Sequence, residues 1–508
     1  MMPRFQTVLV ACLAMVHVHN FAQSVKLQWT EQDKPRSKYI SMVKDGKNGL
    51  VRIGYISESP AHHPEKVDQL LLEHYSQGLG MVSSKEVALP VQALTDPKII
   101  VLKGHYFLLS VKDGKKISVF LTPLDLEKDQ AGPAKEILHS DTESKWNLDH
   151  PKIYYPADSG RVLIALEYII SKKGNQQFAD VLIDPEGNKI WDKYFDIPVM
   201  GEISNMYALD NRYAVRQAVS NARDAYTVYQ KENSSDAVMV HIDKTGNKSE
   251  HPFQLAVSRI IDAAIIINAR QQLYYGGFYQ NANEILEGQF FVSLDPSTGA
   301  TAALQTKPFD PELLKKLYEE NYIKGSLNPA GLADLYLIKS VAFTANGSLY
   351  FSAEYTRFVD RSVSSPRMEM EYGDILVLEY LLGDRLQALR IPKYQASIND
   401  IDHNSFFALP VENKMAFFYD DCASNLTSGD QLVRCSIYGQ VRDLVLVMAT
   451  IDENNKLSRK SIFNMEEMDL IPFRGYFTKI SGNQISLFAK MYHALRKPDV
   501  AVGVISFR

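Results

Sequence analysis

One short pattern recurs along this chain and limits its fold more than any other feature. Four times an apolar run ends at an aspartate, and a Gly or Asn follows three or four residues later. The copies are VLIDPEGNKIW (181–191), MVHIDKTGNKS (239–249), FVSLDPSTGAT (291–301) and MATIDENNKLS (448–458). The carboxylate of Asp184, Asp243, Asp295 or Asp452 can accept backbone N–H groups two residues on, and Gly or Asn accepts the positive φ of a tight reversal. Each copy therefore reads as a hairpin joining two strands.

A second element precedes these hairpins: a polar turn, then a strand rich in aromatic and β-branched residues. It is seen in GRVLIALEYI (160–169), RQQLYYGGFY (270–279), NGSLYFSAEY (346–355), ENKMAFFYDD (412–421) and GNQISLFAKMY (482–492). Helical periodicity is nearly absent from residue 48 onward. Together the elements give a unit of strand, turn, strand, longer loop, strand, Asp turn, strand. Eight units begin near residues 48, 93, 149, 202, 259, 337, 403 and 470. Four strands per unit at a spacing of tens of residues is the signature of an all-β β-propeller, since one such sheet cannot cover both its faces alone. Insertions lengthen several units, so seven blades are open beside eight. The last unit ends at VAVGVISFR (500–508), one strand short, while VKLQWTE (25–31) stands unattached near the start. An N-terminal strand that completes the last blade would hide two sheet edges. Two β-sandwiches are the competing arrangement; even spacing without a linker favours the propeller.

The blade type is not the usual WD kind, since the chain has three tryptophans, Trp29, Trp146 and Trp191. A kelch-like double glycine occurs once, at Gly276-Gly277. The runs NGSLYFSAEY (346–355), YGDILVLEYLLGDRLQALRIPKYQ (372–395) and FFALPVENKMAFFYDD (406–421) resemble a group of exported propeller-like proteins of Bacteroidetes-type bacteria. The resemblance is best over 255–508. It implies the fold and export, and carries no activity and no site residues.

Export is also read from the residues. Arg4 precedes an apolar stretch from Phe5 to about Val16, and Ala22 and Gln23 follow. This is the layout of a signal peptide over residues 1–23, which leaves 24–508 as one propeller domain. His17, His19 and Asn20 end the apolar run too early for a membrane span, and no later segment is apolar enough. Leu9-Val10-Ala11-Cys12 offers lipidation at Cys12 as a second route. The expected location is the periplasm, the outer-membrane surface or the exterior. Cys422 and Cys435 are then the remaining cysteines, thirteen positions apart, and an oxidising compartment pairs them as a disulfide.

Net charge is −5, which argues against a nucleic-acid partner. GxSxG, HExxH, CxxC and GxxxxGK[ST] are all missing, and no catalytic residue, metal site or cofactor is assigned. Gly78-Leu79-Gly80 reads as a hairpin turn, because no helix follows to receive a pyrophosphate. Asp400-Ile401-Asp402-His403-Asn404-Ser405 opens like a calcium loop but lacks Gly at position six, and Val411 stands where Glu is needed, so a polar inter-blade connection is expected. His62-His63 with Glu65 is a weaker ligand pair. Glu167-Tyr168, Glu354-Tyr355 with Arg357, and Tyr419-Asp420-Asp421 sit near strand ends, where they either gather at one rim or simply pack. RMEMEY (367–372) reads as a half-exposed strand. DPELLKKLYEENY (310–322) reads as one short helix over a blade edge, with Asp310 as N-cap, Pro311 first, and Leu313, Leu314, Leu317 and Tyr318 on one face.

The function expected is an exported, monomeric, non-enzymatic binding or scaffold module for a protein or cell-surface glycan. Insertions near 141–150, 307–336, 356–373 and 422–440 would form its recognition surface. A hydrolase or lyase with its site at the channel mouth is the alternative.

Overall fold

Most described strands are short alternating or largely apolar runs, and antiparallel pairing of neighbours in sequence is the least costly way to satisfy their backbone. The computed structural model describes residues 25–507 apart from 32–35, 46–48, 58–65, 93, 113–116, 141–150, 171–174, 199–215, 231–234, 284, 324–335, 361–367, 382–384, 399–403, 430–431, 437–442 and 492–498. The described strands form eight sheets arranged as an eight-bladed β-propeller. The expected fold class holds, and the blade count is eight.

Blade 1 comprises Lys38–Lys44, Leu50–Ile56, Gln69–Tyr75 and Met81–Ala88. Blade 2 comprises Thr95–Leu102, His105–Lys112, Ser118–Asp125 and a divided fourth strand, Gln130–Ala131 and Lys135–His139. Blade 3 is Lys152–Tyr154, Val162–Ile170, Asn175–Ile183 and Lys189–Pro198, and blade 4 is Arg216–Val219, Ala225–Gln230, Asp236–Ile242 and Lys248–Gln254. Blade 5 is Arg259–Ile267, Leu273–Gln280, Leu286–Leu294 and Thr301–Pro308. Blade 6 is Tyr336–Phe343, Leu349–Asp360, the long Met368–Leu381, and a broken fourth strand, Arg385–Ile391 then Gln395–Ile398. Blade 7 is Phe407–Val411, Lys414–Cys422, Leu444–Ile451 and Leu457–Asn464. Blade 8 is Leu470–Ser481, Gln484–Met491 and Val500–Phe507.

The N-terminal strand Val25–Trp29 completes blade 8, as expected. It runs antiparallel to the last strand from Val25 opposite Phe507 to Trp29 opposite Gly503, and the Thr30 N–H donates to the Val502 carbonyl at 2.9 Å. A Cβ at position 503 would come within 2.8 Å of the Trp29 ring, so glycine is what lets the indole lie across this strand. Trp29 then reaches Phe463 of blade 7, with ring centroids 5.1 Å apart. The start of the first unit is corrected from about 48 to Lys38. The run at 50–56 is the second strand of blade 1, and the weakly patterned KYISMVK is the first.

Between blades the faces meet as apolar layers. Among the described residues there are eight buried clusters, one for each seam of the ring. The seam between blades 8 and 1 holds Tyr39 stacked on Phe488, with centroids 4.8 Å apart, beside Met42, Phe473 and Val502. Gly276-Gly277 is a packing device. A Cβ on Gly277 would meet the Asp262 carbonyl at 2.1 Å, and one on Gly276 the Phe351 ring at 2.9 Å. The helix Pro311–Ile323 lies where it was expected. Asp310 caps it by accepting the Glu312 N–H at 2.8 Å, and Leu317 is buried in the seam between blades 5 and 6.

Ring closure by the N-terminal strand yields a stability prediction. Trp29→Ala should cost roughly 3 kcal/mol in urea unfolding, and deletion of residues 25–30 should cost more. An unchanged midpoint after deletion would show that the strand does not close the ring.

Candidate functional site

Four antiparallel strands return the chain to the side it left, so every first strand in the ring runs the same way. Connections between first and second strands and between third and fourth therefore share one face, and the remaining connections share the other. The first face is made of tight turns. Asp184 accepts from the N–H groups of Glu186 and Asn188 at 3.0 and 2.7 Å, with Gly187 at φ +80°. Asp243 and Asp452 build the same turn, and Asp295 builds one a residue longer, accepting from the N–H groups of Ser297 and Thr298. Two further copies use other side chains: Asn268 accepts from Arg270 and Gln272, and Ser220 from Ala222 and Asp224. The second face carries the longer connections, including the helix Pro311–Ile323 and the described parts of 392–406 and 423–443.

Beneath that second face, a chain of buried charges crosses blades 6, 7 and 8. Lys393 Nζ lies 2.6 Å from Glu354 Oε1, and neither side chain has any exposure. Lys393 also donates to Gln395 Oε1 at 2.9 Å. The Ser405 hydroxyl bonds the Glu354 carboxylate, while the Ser405 N–H donates to Gln395 Oε1 at 3.0 Å. The Gln395 amide donates to the Asp420 carbonyl in blade 7 at 2.7 Å, and the Asp420 carboxylate pairs with Arg474 of blade 8. Burial lowers the Arg474 guanidinium to about 9, and it sits 4.7 Å from the centre of the Phe477 ring. Alongside, Arg357 pairs with Glu371 at 2.9 Å, the Tyr394 hydroxyl donates to Glu371 at 2.9 Å, and Arg390 pairs with Asp374 at 2.7 Å. Loss of one partner in such a pair strands a dehydrated charge, at roughly 3–5 kcal/mol.

The disulfide between Cys422 and Cys435, with Cα atoms 5.6 Å apart, sits at the edge of this network. It turns the segment 422–435 into a strap. The strap leaves blade 7 and returns to blade 6, where Cys435 and Ser436 pair in parallel with Gln395 and Ala396. Closing a loop of this length is worth about 3 kcal/mol in the chain-entropy account. Inside the strap, the buried Asn425 amide reads both backbone groups of Val433, accepting its N–H at 2.7 Å and donating to its carbonyl at 2.8 Å. The clamp holds the Val433 side chain outward, 47% exposed.

Two of the three acidic-aromatic groups are thus brought together. Glu354, Tyr355 and Arg357 from blade 6 and Tyr419, Asp420 and Asp421 from blade 7 belong to one connected region; the Glu167 and Tyr168 side chains lie outside the described residues. The half-exposed reading of 367–372 is corrected at Glu371, 1% exposed where Arg357 and Tyr394 cover it; Arg367 and the Met368 and Glu369 side chains lie outside the described residues. Asp400, Ile401, Asp402 and His403, and likewise His62, His63 and Glu65, lie outside the described residues. Ser405 is spent on Glu354 and sits at φ +74°. Among the described residues no group of three or more His, Cys, Asp or Glu side chains is placed to hold a metal. Residues 78–80 form the expected turn, with Leu79 at φ +63°. Lys393, Gln395 and Arg474 were missed by sequence reading.

Asp421 gives this region a pH signature. Burial pushes its carboxyl up to about 7, against the opposing pull of Asn425, the Cys422 N–H, Lys393 and Arg459. An unfolded Asp titrates near 4. The folded chain therefore holds this proton more tightly, and the local stability is full below about pH 4 and lost as pH rises toward 7. Asp421→Asn keeps the acceptor for Asn425 and removes the titration. Thermal melts between about pH 5 and pH 8 should show the variant gaining on the parent as pH rises; parallel curves would contradict the assignment.

Neither protein-family models nor curated proteins match this chain. Among solved structures, it is similar to the WD40 domain of SCAP from fission yeast, at 10% identity over 95% of this chain and 98% of that one, with a TM-score of 0.37. The β-propeller domain of the Trilobed protease from Pyrococcus furiosus is similar at 9% identity, over 85% and 96% of the two chains, with a TM-score of 0.35. A protein of unknown function from Dyadobacter fermentans is similar at 9% identity over 95% and 99%, with a TM-score of 0.32. Likenesses this distant say nothing of function.

Proposed function

We propose that the protein is an exported binding or scaffold propeller that recognises a protein or a cell-surface glycan through the long-connection face over blades 6 to 8. The observation that carries this reading is the strap. A disulfide, a two-residue parallel pairing and a buried asparagine clamp tie down both ends of a short segment and leave an apolar side chain, Val433, presented to solvent. Groups preorganised in this way lose little entropy when a partner docks.

The charges below the strap support the same reading. Glu354, Glu371, Asp374 and Asp420 each lie against a cation, so their energy goes into fixing the platform. Export to the periplasm, the outer-membrane surface or the exterior belongs to the proposal, in line with the resemblance to exported propeller-like proteins and with the disulfide.

The test is capture of partners by the native, tagged protein from the exporting cell, identified by mass spectrometry, in parallel with Val433→Asp. Val433 is exposed, so the variant should keep its melting temperature. A partner that is retained by the parent and lost by Val433→Asp is the expected result. A partner held equally by both, or turnover of a glycan by the purified chain with no retained partner, would overturn the proposal.

A further inference from the structure

On the opposite face, the seam that closes the ring opens into a polar cleft of about 550 Å³, within the size range of small-molecule sites. Its wall on blade 8 follows from register. Lys26 lies opposite Ser506 and Ser506 opposite Gln484, so an ammonium, a hydroxyl and an amide form a row across three strands. The Gln484 amide already donates to Ser506 Oγ at 3.2 Å, which fixes the row. Strands lie about 4.8 Å apart, so the row runs for about 10 Å. Gln28 extends it, and Lys44 and Gln77 face it from the turns of blade 1.

Two properties of this cleft narrow the ligand. Lys26 and Lys44 are exposed cations, whereas Asp45, the acid in the lining, already accepts the Gly49 N–H at 2.5 Å. The cleft is therefore locally positive in a chain of net charge −5. Its floor is aliphatic, with Leu50, Leu79 and Val504 rising from the apolar seam below. Amides, a hydroxyl and ammonium groups above an aliphatic floor match a ligand with many hydroxyls, apolar C–H faces and a negative charge. We infer that the cleft is a binding site for a short acidic saccharide. The ligand would touch both the closing strand and blade 1, so its binding stabilises the closed ring. The inference concerns a different face and does not depend on the role proposed for the strap.

The experiment is calorimetric titration of the full chain with digalacturonate, with maltose and inorganic phosphate as separate probes. Digalacturonate should bind at least roughly tenfold more tightly than either, and Lys26→Ala and Lys44→Ala should each weaken it by roughly tenfold. Lys44 lies outside the closing strand, so its variant tests the site even if Lys26→Ala loosens closure. Val433→Asp should leave the affinity unchanged. Absence of binding, equal affinity for phosphate or for maltose, or indifference to both lysine substitutions would overturn the assignment.

Discussion

The structure depends on apolar contact between neighbouring sheets. A four-stranded sheet of this kind has two apolar faces, and each is covered by the next sheet in the ring. Hydrophobic burial is therefore cyclic: seven seams can form as the chain folds along its length, but the eighth forms only when the first and last blades meet. That seam is built from residues hundreds of positions apart, Tyr39 and Met42 against Phe488 and Val502. The N-terminal strand secures it from outside by covering the last strand, which would otherwise present unpaired backbone. Gly503 is the local condition for this, because it makes room for Trp29.

A second layer of order is electrostatic and, among the described residues, most extended across blades 6, 7 and 8; blade 1 holds a further buried pair, Arg52 with Glu73. Buried ion pairs seldom stabilise a fold beyond what an apolar core achieves, but they are intolerant of any arrangement that separates the partners. Here they link three blades in a fixed geometry: Glu354 to Lys393, Gln395 to the Asp420 carbonyl, Asp420 to Arg474. The disulfide strap is anchored on the same groups. The Asn425 clamp and the exposed Val433 belong to one construction. Among the described residues, the other face shows no comparable network linking three blades. Its turns are shaped by single side chains, and its cleft arises where two hairpins of blade 1 stand apart from the wall of blade 8.

What the sequence made legible was local. The Asp turns could be read because aspartate, two N–H groups and a positive-φ residue all fall within five positions. The same turn at Asn268 and Ser220 was passed over because the side chain differs while the hydrogen bonding does not. The Cys422–Cys435 pairing was legible from spacing together with the expectation of export, and the closing strand from a missing partner at the other end. Lys393, Gln395 and Ser405 were not legible, because their roles depend on contacts such as Ser405 with Glu354, fifty-one positions away. For the same reason the alternation at 367–372 misled: Glu371 looks solvent-facing until Arg357 and Tyr394 arrive over it. The first strand of blade 1 was missed because Lys38 and Lys44 frame a run with no sharp alternation.

Covalent trapping tests the closed ring most directly. Lys26 and Ser506 stand opposite each other across the closing pair of strands. In a Lys26→Cys, Ser506→Cys variant, oxidation should join the two positions in the folded protein, and peptide mapping should recover them as one linked fragment. Failure to link under conditions that form the 422–435 bond, with the protein folded, would mean that the ends do not share a sheet and that the ring is not closed as described.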